Sequence, residues 1–450
     1  MTRSRSAAEP QGFLHWMLPA MLGLVAITVL LSGRDLSQMF KDLAVGGGMY
    51  LHPAVAWLQR GVSLLLVLVA AERLVNHFAM HKQLPSPLLV WTFIGYWLAT
   101  VAGPAFFGSH PQLSHEYLYT LLIGLAGALA AGADRDRVVD AARNALFLFL
   151  LAGAALAVVN PAMVIDTTYN QGLFAGVPRF GGLATHPVAL GMFAQTFLLC
   201  LWARPFGRRW LTALAWILGL ATLFFAQSKT SWIAFIVCSL AMLAVRHGGN
   251  VWRRMGDPRE GEFGIVACLA VIVLAAGALA LVLFADVGSE AAGFLDTTEG
   301  AQLMSMTGRD QIWVIALEEW RANQLFGYGP GLWDDAFRAS IHLPNATNAH
   351  NQFMDTLARS GSIGAAALVV YSAVLLVLAL RYAKQTGGLS IALLVSVALR
   401  SISEVPLLMF GYGTELFTHL LLLITLASAA AERVHAPVAA VRRTNYRVAS

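Results

Sequence analysis

Four polar residues lie where a long polar segment meets an apolar stretch, and their types suit chemistry at a membrane surface. His350, Asn351, Asp355 and Arg359 precede the apolar run 363–380. Histidine can take up a proton near neutral pH, and the planar guanidinium of arginine binds phosphate oxygens through parallel hydrogen bonds. Such a set suits a reaction in which an acceptor hydroxyl loses a proton while a phosphate-bearing group leaves.

The composition predicts that these residues belong to a membrane protein. Of the 450 residues, 58% are hydrophobic and 12% are charged, whereas soluble domains carry about 25% charged residues. Stretches of about 20 apolar residues cross a bilayer as helices, because backbone polar groups in lipid must pair within the segment. Twelve such stretches occur, near 15–33, 53–72, 86–106, 115–132, 141–161, 185–203, 209–227, 230–246, 263–284, 362–380, 387–405 and 411–431.

The predicted fold is therefore an all-α polytopic membrane protein of about twelve transmembrane helices. If the N-terminus is cytoplasmic, 20 of the 30 Lys and Arg residues fall on the cytoplasmic side, as the positive-inside rule requires. This orientation divides the chain into nine helices (1–284), a large periplasmic loop with amphipathic helices (285–349), three more helices (350–431) and a cytoplasmic tail (432–450). Since the basic charge follows the topology, the expected partner is the lipid bilayer and not nucleic acid.

Several ionisable residues fall within the outer halves of the predicted helices. Placing such a group in lipid costs about 2.5–3.5 kcal/mol on insertion scales, so these residues indicate a charged cavity that opens outward. Arg60 could instead form a buried ion pair, and the one-turn spacing of Arg400 and Glu404 also permits an ion pair within their helix. The residues assigned to the cavity are Arg60, Asp355, Arg359, Arg400, Glu404 and Glu415.

Two outer loops carry further cations that could bind an anion. Arg179 lies among glycines just before a helix that opens at His186, an arrangement suited to an anion. Lys229 lies in a short turn between two helices, where a solvated lysine and a phosphate contact are both reasonable interpretations. His110 and His115 lack the spacing and the carboxylate neighbours of a metal site, so no metal and no cofactor is expected.

The large loop is predicted to contain an amphipathic helix. Trp313, Leu317 and Trp320 share one helical face, and the glycine-rich stretch 327–331 ends this helix in a turn. The paired carboxylates at 334–335 could hold a metal ion, but acidic residues at the start of a surface helix explain them equally well.

Taken in order, these motifs resemble the O-antigen ligase and polymerase superfamily of bacterial membrane glycosyltransferases. The resemblance covers roughly residues 170–410, and the pattern His-Asn-x9-Gly-x-x-Gly is specific for the superfamily rather than for one member. The motifs that carry it are Arg179 with Gly181-Gly182 and His186-Pro187, the hairpin Ser228-Lys229-Thr230-Ser231, Thr307-Gly308-Arg309-Asp310-Gln311-Ile312-Trp313, Gly327-Tyr328-Gly329, and His350-Asn351 with Gly361-Ser362-Ile363-Gly364.

The resemblance implies a metal-independent enzyme of the bacterial inner membrane. Such an enzyme transfers a glycan from undecaprenyl diphosphate to an acceptor saccharide at the periplasmic face. In this interpretation His350 is the general base, while Arg179 and Arg309 bind the diphosphate. Lys229 stands where many relatives have an arginine, which keeps the charge but loses the bidentate fork. Further diphosphate contacts are expected from Lys229, Arg400 and Arg60, with support from Asn351, His186 and Glu404.

The resemblance leaves the acceptor open. The elements 308–313 and 327–329 resemble the branch that polymerises exopolysaccharide or O-antigen repeat units, so polymerisation is favoured, and joining of the glycan to lipid A core is the alternative. A secondary transporter is a further alternative, although the long loop follows the ninth helix and does not divide two similar halves. Proteins of polysaccharide assembly are candidate partners of either enzyme.

Overall fold

The computed structural model describes residues 12–39, 52–80, 83–168, 176–255, 309–343, 346–410 and 414–435. Helices account for 74% of the structure. Within the described ranges the strands form one short antiparallel pair, β1 (Ile165–Asp166) with β2 (Arg179–Phe180). The protein is thus mostly helical, as predicted.

The main helices follow one another along the chain with short connections. A 3-10 turn (Leu14–Trp16) precedes the first helix, a single helical turn (Pro161–Val164) precedes β1, and α3 contains a π-helical turn (Leu98–Ala102). The helices are α1 (Met17–Ser32), α2 (Pro53–Ala79), α3 (Pro87–Phe107), α4 (Tyr117–Ala128), α5 (Asp134–Val159), α6 (Pro187–Ala203), α7 (Arg209–Phe225), α8 (Lys229–Met255), α9 (Arg309–Ala322), α10 (Asp335–Ser340), α11 (Gln352–Arg381), α12 (Leu389–Arg400) and α13 (Thr414–His435).

Seven of the described helices are long and apolar enough to cross a membrane, namely α1, α2, α3, α5, α8, α11 and α13. Four shorter apolar helices, α4, α6, α7 and α12, accompany them. All of these overlap stretches predicted from the sequence, and they indicate a multi-pass membrane protein. The predicted stretch 263–284 lies outside the described residues, so the number of twelve and the side on which the large loop lies remain predictions.

The centre of the bundle is formed by helices that are apolar on all sides. In the membrane-crossing part of α13, 89% of the residues are buried, against 22% in α2 and 17% in α8. Phe193 on α6 packs edge-on against Phe417 on α13, with 5.6 Å between the ring centroids. An apolar helix that is not buried in protein must face lipid, so α2 and α8 lie at the periphery while α6 and α13 form the core.

Helix α11 begins earlier than predicted and is interrupted once. It starts at Gln352 and not near 362, and it contains one non-helical residue, Gly361, with φ of +64° and ψ of −167°. The segment 324–329 of the large loop inserts there, so closely that a Cβ on Gly361 would lie 2.3 Å from the carbonyl carbon of Leu325. Only glycine tolerates both this backbone conformation and this approach.

Hydrogen bonds join the inserted segment to both sides of the interruption. The N–H of Tyr328 donates to the carbonyl of Ala358 at 2.9 Å, and the N–H of Ser362 donates to the carbonyl of Gln324 at 2.8 Å. These bonds satisfy backbone groups that the interruption would otherwise leave unpaired. The two glycine motifs that the sequence presents separately, at 327–329 and 361–364, therefore form one junction.

The predicted amphipathic helix of the loop is α9, but its buried face differs from the predicted one. Ile312 and Ala316 are buried, while Leu317 and Trp320 are only half-buried. The difference arises because α9 packs against α11, and the Nε1–H of its Trp313 donates to the carbonyl immediately before His350, at 2.9 Å. Thr307 and Gly308, which open the motif that leads into this helix, lie outside the described residues.

Candidate active site

His350 lies immediately before α11, and its neighbours fix its backbone. Asn351 is the N-cap of α11, because its Oδ1 accepts from the N–H groups of Phe353 (3.0 Å) and Met354 (3.1 Å). His350 has a φ of +47°, and its N–H donates to Asn348 Oδ1 at 2.7 Å. Positive φ at a residue other than glycine is uncommon and clusters at functional sites. Since Asn351 caps the helix, the imidazole of His350 is available for another role.

The imidazole of His350 faces a carboxylate. Its Nδ1 lies 3.4 Å from Glu404 Oε2, and both side chains are partly exposed, at 26% and 21%. At this distance the carboxylate stabilises an imidazole that has taken up a proton. The sequence predicted a helix that continues to residue 405, but α12 ends at Arg400, and Glu404 lies in the following turn. The change of chain direction after Arg400 brings the carboxylate to His350.

Hydrogen bonds hold the segment 401–407 against the N-terminus of α11. The N–H of Gln352 donates to the carbonyl of Ser401 at 2.9 Å, and Gln352 Oε1 accepts from the N–H of Leu407 at 2.7 Å. Gln352 is 3% exposed, so water does not compete for these bonds. Gln352 therefore positions the imidazole and the carboxylate relative to each other. Gln352 was not among the site residues predicted from the sequence, although a polar residue at the start of an apolar helix was the signal available.

Arg179 lies on β2 and is held by the hairpin between α7 and α8. Its side chain is buried, and its Nε–H donates to the carbonyl of Ala226 at 3.0 Å. The next hairpin residue, Gln227, has a φ of +48° and donates through Nε2 to the carbonyl of Val177 at 2.8 Å. The hairpin thus fixes both the strand and the guanidinium that it carries.

Arg34, which follows α1, is a second buried cation of this region and was not among the predicted site residues. Its guanidinium donates to the carbonyl oxygens of Met163 (3.0 Å), Thr185 (3.0 Å) and Gly182 (2.9 Å). Burial lowers the pKa of Arg34 to about 10, so the guanidinium stays charged at neutral pH. Its position just outside the first predicted helix, on the side that should be poor in basic residues, was the signal in the sequence.

His186 lies close enough to Arg34, Arg179, His350 and Glu404 for the charges of all four to act on its pKa. It is the N-cap of α6, and its Nδ1 accepts from the backbone N–H two residues further on, at 3.1 Å. Burial, together with the positive charges of Arg179, Arg34 and His350, lowers the pKa of His186 to about 4, and Glu404 acts in the opposite direction. The ring is nevertheless accessible to solvent. We call the solvent-accessible region around His186 and His350 the recess.

The other predicted cations differ in their position and in their exposure to solvent. Lys229 is the first residue of α8 and is exposed, whereas Arg400 is 2% exposed at the end of α12. Arg60 is exposed on α2 and lines a different cavity. Arg309 is the first residue of α9 and Glu415 the second residue of α13, and the side chains of both lie outside the described part of the structure.

Asp355 and Arg359 do not line an outward cavity, contrary to the expectation from the sequence. They are 1% and 6% exposed, and Arg359 Nε donates to Asp355 Oδ2 at 3.2 Å. Asp355 Oδ1 also accepts from Trp333 Nε1 (2.9 Å) and from the N–H of Ala349 (3.1 Å). The pair is buried because it fastens the outer loop to α11, so its role is structural.

The paired carboxylates at 334–335 begin a helix, which was the second of their two predicted roles. Asp334 is the N-cap of α10 and accepts from the N–H of Phe337 at 2.8 Å. In the described parts of the chain, no group of three or more His, Cys, Asp and Glu side chains could hold a metal ion. The recess offers one imidazole beside a carboxylate, and the buried guanidinium groups of Arg34 and Arg179 act on the neighbouring His186.

Comparison with known proteins supports the resemblance that the motifs indicate. Residues 213–369 match the model of a family described as O-antigen ligase, which confirms the predicted relation to this superfamily. The matched region contains Lys229, Arg309, His350 and the junction at Gly361, whereas Arg179 and the other N-terminal residues precede it. No curated protein matches the chain.

Proposed function

We propose, from the match to the O-antigen ligase family, that this membrane protein transfers a glycan from undecaprenyl diphosphate to an acceptor saccharide. The observation that carries the proposal is the His350–Glu404 pair, 3.4 Å apart, in a recess whose cations are Arg34 and Arg179. A general base and a diphosphate site are the two requirements of such a transfer, because the reaction removes a proton from the acceptor and expels an anionic leaving group.

In the proposed reaction His350 takes the proton of the acceptor hydroxyl. Nδ1 faces Glu404, so Nε2 is the nitrogen that meets the hydroxyl. The acceptor oxygen forms a bond to the anomeric carbon of the donor glycan while the bond from that carbon to the diphosphate oxygen breaks. Undecaprenyl diphosphate leaves with the electron pair, and the imidazolium is stabilised by the Glu404 carboxylate.

The diphosphate is stabilised in this proposal by guanidinium groups and not by a metal ion. Arg34 and Arg179 supply fixed positive charge, since both are buried and tied to carbonyl oxygens. Arg309, Lys229 and Arg400 are proposed as further contacts of the donor. We place the recess on the periplasmic side of the inner membrane, with the domain boundaries 284, 349 and 431 predicted from the sequence.

Two acceptors remain candidates, and each has one observation in its favour. The glycine elements at 308–313 and 327–329 support polymerisation of exopolysaccharide or O-antigen repeat units, which we favour. The description of the matched family favours ligation to lipid A core. A deletion strain separates them: loss of exopolysaccharide or of long repeats on their lipid carrier supports the polymerase, and loss of long-chain lipopolysaccharide with intact lipid-linked chains supports the ligase.

The proposal is tested by substituting the base in liposomes that contain purified protein. His350→Ala should lower the transfer rate by about 10²-fold or more, the usual contribution of a general base, while donor binding is retained. His350→Gln can form hydrogen bonds but cannot accept a proton at neutral pH, so it should be equally inactive. Near-normal transfer by His350→Gln would rule out general-base catalysis, and loss of activity in chelator that is restored by magnesium would rule out the metal-independent mechanism.

A further inference from the structure

A second recess lies between α1, α2 and the segment that begins α4, and we call it the α1–α2 cavity. It has a volume of about 760 Å³, which is within the usual range for ligand pockets. Its lining is polar at one end and apolar at the other. Polar groups come from Gln59, Arg60, His115 and Glu116, and apolar groups from Leu24, Val25, Leu64 and Val67.

The order of residues along the helices shows where the polar groups lie. α2 begins at Pro53 and advances about 1.5 Å per residue, so Val67 lies about 10 Å deeper in the bundle than Arg60. α1 runs toward the loops, and the Thr28 that lines the cavity is nearer to its end than Leu24. The polar groups therefore lie at the loop end of the cavity, and the apolar groups lie below them.

We expect the polar end to lie at the level of the membrane surface. Trp57 is 71% exposed on the peripheral helix α2, and exposed tryptophans mark the boundary between hydrocarbon and head groups. The Arg60 guanidinium lies 4.9 Å from the centroid of this ring, so we expect the cation at the depth of lipid phosphates. A cation above an apolar floor fits an amphiphile with an anionic head and a hydrocarbon chain.

The α1–α2 cavity is distinct from the recess at His350 but adjoins it. Arg34 and Arg179 act on His186, whereas Arg60 lines the cavity. Thr185 connects the two places, because it lines the cavity, its carbonyl accepts from Arg34 at 3.0 Å, and it precedes His186. Transfer between two lipid-anchored substrates needs one position for each anionic head group, and the donor occupies the recess.

We propose that the α1–α2 cavity binds the lipid anchor of the acceptor, with Arg60 against its phosphate and the hydrocarbon chain against Leu64 and Val67. The identity of this lipid as the acceptor rests on the proposed function, whereas the binding of an anionic amphiphile does not. Both candidate acceptors, a lipid-linked repeat unit and lipid A core, carry phosphate next to hydrocarbon. In this arrangement Arg60 serves the acceptor and not the donor diphosphate.

The test uses substitutions that either fill the cavity or remove its positive charge, in the full-length protein in phosphatidylcholine nanodiscs. Val67→Trp fills the apolar end, and Arg60→Gln removes the cation. Val75→Trp is the matched control, because it adds the same ring on the same helix at a residue that is 66% exposed and outside the cavity. Val67→Trp and Arg60→Gln should raise the KM for the acceptor about tenfold, equivalent to about 1.4 kcal/mol, and leave the KM for the donor unchanged; Val75→Trp should change neither.

A binding measurement without turnover separates this proposal from the proposed function. Native mass spectrometry counts the molecules of undecaprenyl phosphate that each variant retains, and Val67→Trp should retain one fewer than Val75→Trp. Equal retention by these two variants, or an increased KM for the donor in place of the acceptor, would overturn the proposal. Displacement of the probe by an equal amount of phosphatidylglycerol would also overturn it, because the cavity would then hold bulk lipid. A wild-type protein that shows the predicted retention but transfers no glycan would contradict the proposed function and still support the amphiphile site.

Discussion

Arg204 and Arg34, at opposite ends of the helix bundle, are held by different kinds of partner. At the end where α5 begins, guanidinium groups pair with carboxylates: Arg204 Nε and Nη2 donate to the two oxygens of Asp140 at 2.9 and 2.8 Å, and Arg135 donates to Glu432 at 3.2 Å. At the end that contains His350, the Arg359–Asp355 pair fastens the large loop, whereas Arg34 donates to three backbone carbonyls. Among the described residues no carboxylate pairs with Arg34.

The difference determines where an anion can bind. A guanidinium that is paired with a carboxylate has its charge neutralised, and an added phosphate must compete with that partner. Carbonyl oxygens orient a guanidinium without cancelling its charge, so the electrostatic attraction for a diphosphate remains. We therefore expect Arg34 to attract an anionic ligand, and Arg204 to stabilise a contact between helices.

The largest expected effect concerns the side of the membrane on which each end lies. Periplasm-dependent reporters fused near Gly256, Gly300 or Gly387 should be active only at Gly300, because the basic residues lie mainly on the other side. The outcome is all or none for each fusion. Activity at Gly256 would reverse the orientation, place the recess in the cytoplasm and remove the proposed donor.

The next effect concerns the junction at Gly361 that fastens the large loop to α11. Gly361→Ala should destabilise the protein strongly, because φ is +64° and the new Cβ would lie 2.3 Å from the Leu325 carbonyl carbon. Gly23→Ala on α1 is the control, since nothing lies within 4 Å of a Cβ at Gly23. Melting temperatures in detergent should fall by several degrees for Gly361→Ala and stay unchanged or rise for Gly23→Ala. Equal values would mean that the segment 324–329 does not insert into α11.

The sequence predicted elements better than it predicted contacts between them. Apolar runs located the membrane helices, because a helix in lipid must be apolar along its whole length. The same rule could not place Glu404, since its approach to His350 depends on a change of chain direction after Arg400. Nor could it show that Asp355 and Arg359 pair in the interior, because a buried pair and a cavity wall use the same residue types.

The junction at Gly361 was hidden for a related reason. Glycine motifs indicate backbone approach, but they do not identify the partner segment. The segments 327–329 and 361–364 come into contact only when the loop folds back onto α11. Arg34 was overlooked in a similar way, because its function depends on carbonyl groups, which every residue has and no sequence pattern marks.

A smaller effect tests the contrast between the two kinds of arginine directly. Arg34→Ala should weaken donor binding on the order of tenfold through loss of one charge-assisted contact, and Arg34→Lys should recover part of it because the charge is retained. Arg204→Ala, at the opposite end, should leave donor binding unchanged. Binding of a lipid-linked oligosaccharide to protein in nanodiscs measures all three. A weaker donor affinity in Arg204→Ala than in Arg34→Ala would contradict the assignment of the donor to the His350 end.

The smallest effect concerns acid sensitivity at His186. The pKa of this group is lowered to about 4 from an ordinary value of about 6.5, so the unfolded chain binds more protons than the folded protein between these values. Its contribution to stability is therefore intact above about pH 6.5 and decreases as the pH falls toward 4. The ring is open to solvent, so the effect on the melting temperature should be small.

His186→Asn isolates this contribution, because asparagine keeps the N-cap but does not titrate. Between pH 7.5 and pH 5 the melting temperature of the wild type should fall more than that of His186→Asn. Inorganic pyrophosphate bound near Arg34 and Arg179 would offset their positive charge and raise the pKa of His186. It should therefore reduce the acid sensitivity of the wild type and leave that of His186→Asn unchanged. Identical curves for both proteins with and without pyrophosphate would show that no anion binds within reach of His186, and the donor site would have to be sought elsewhere.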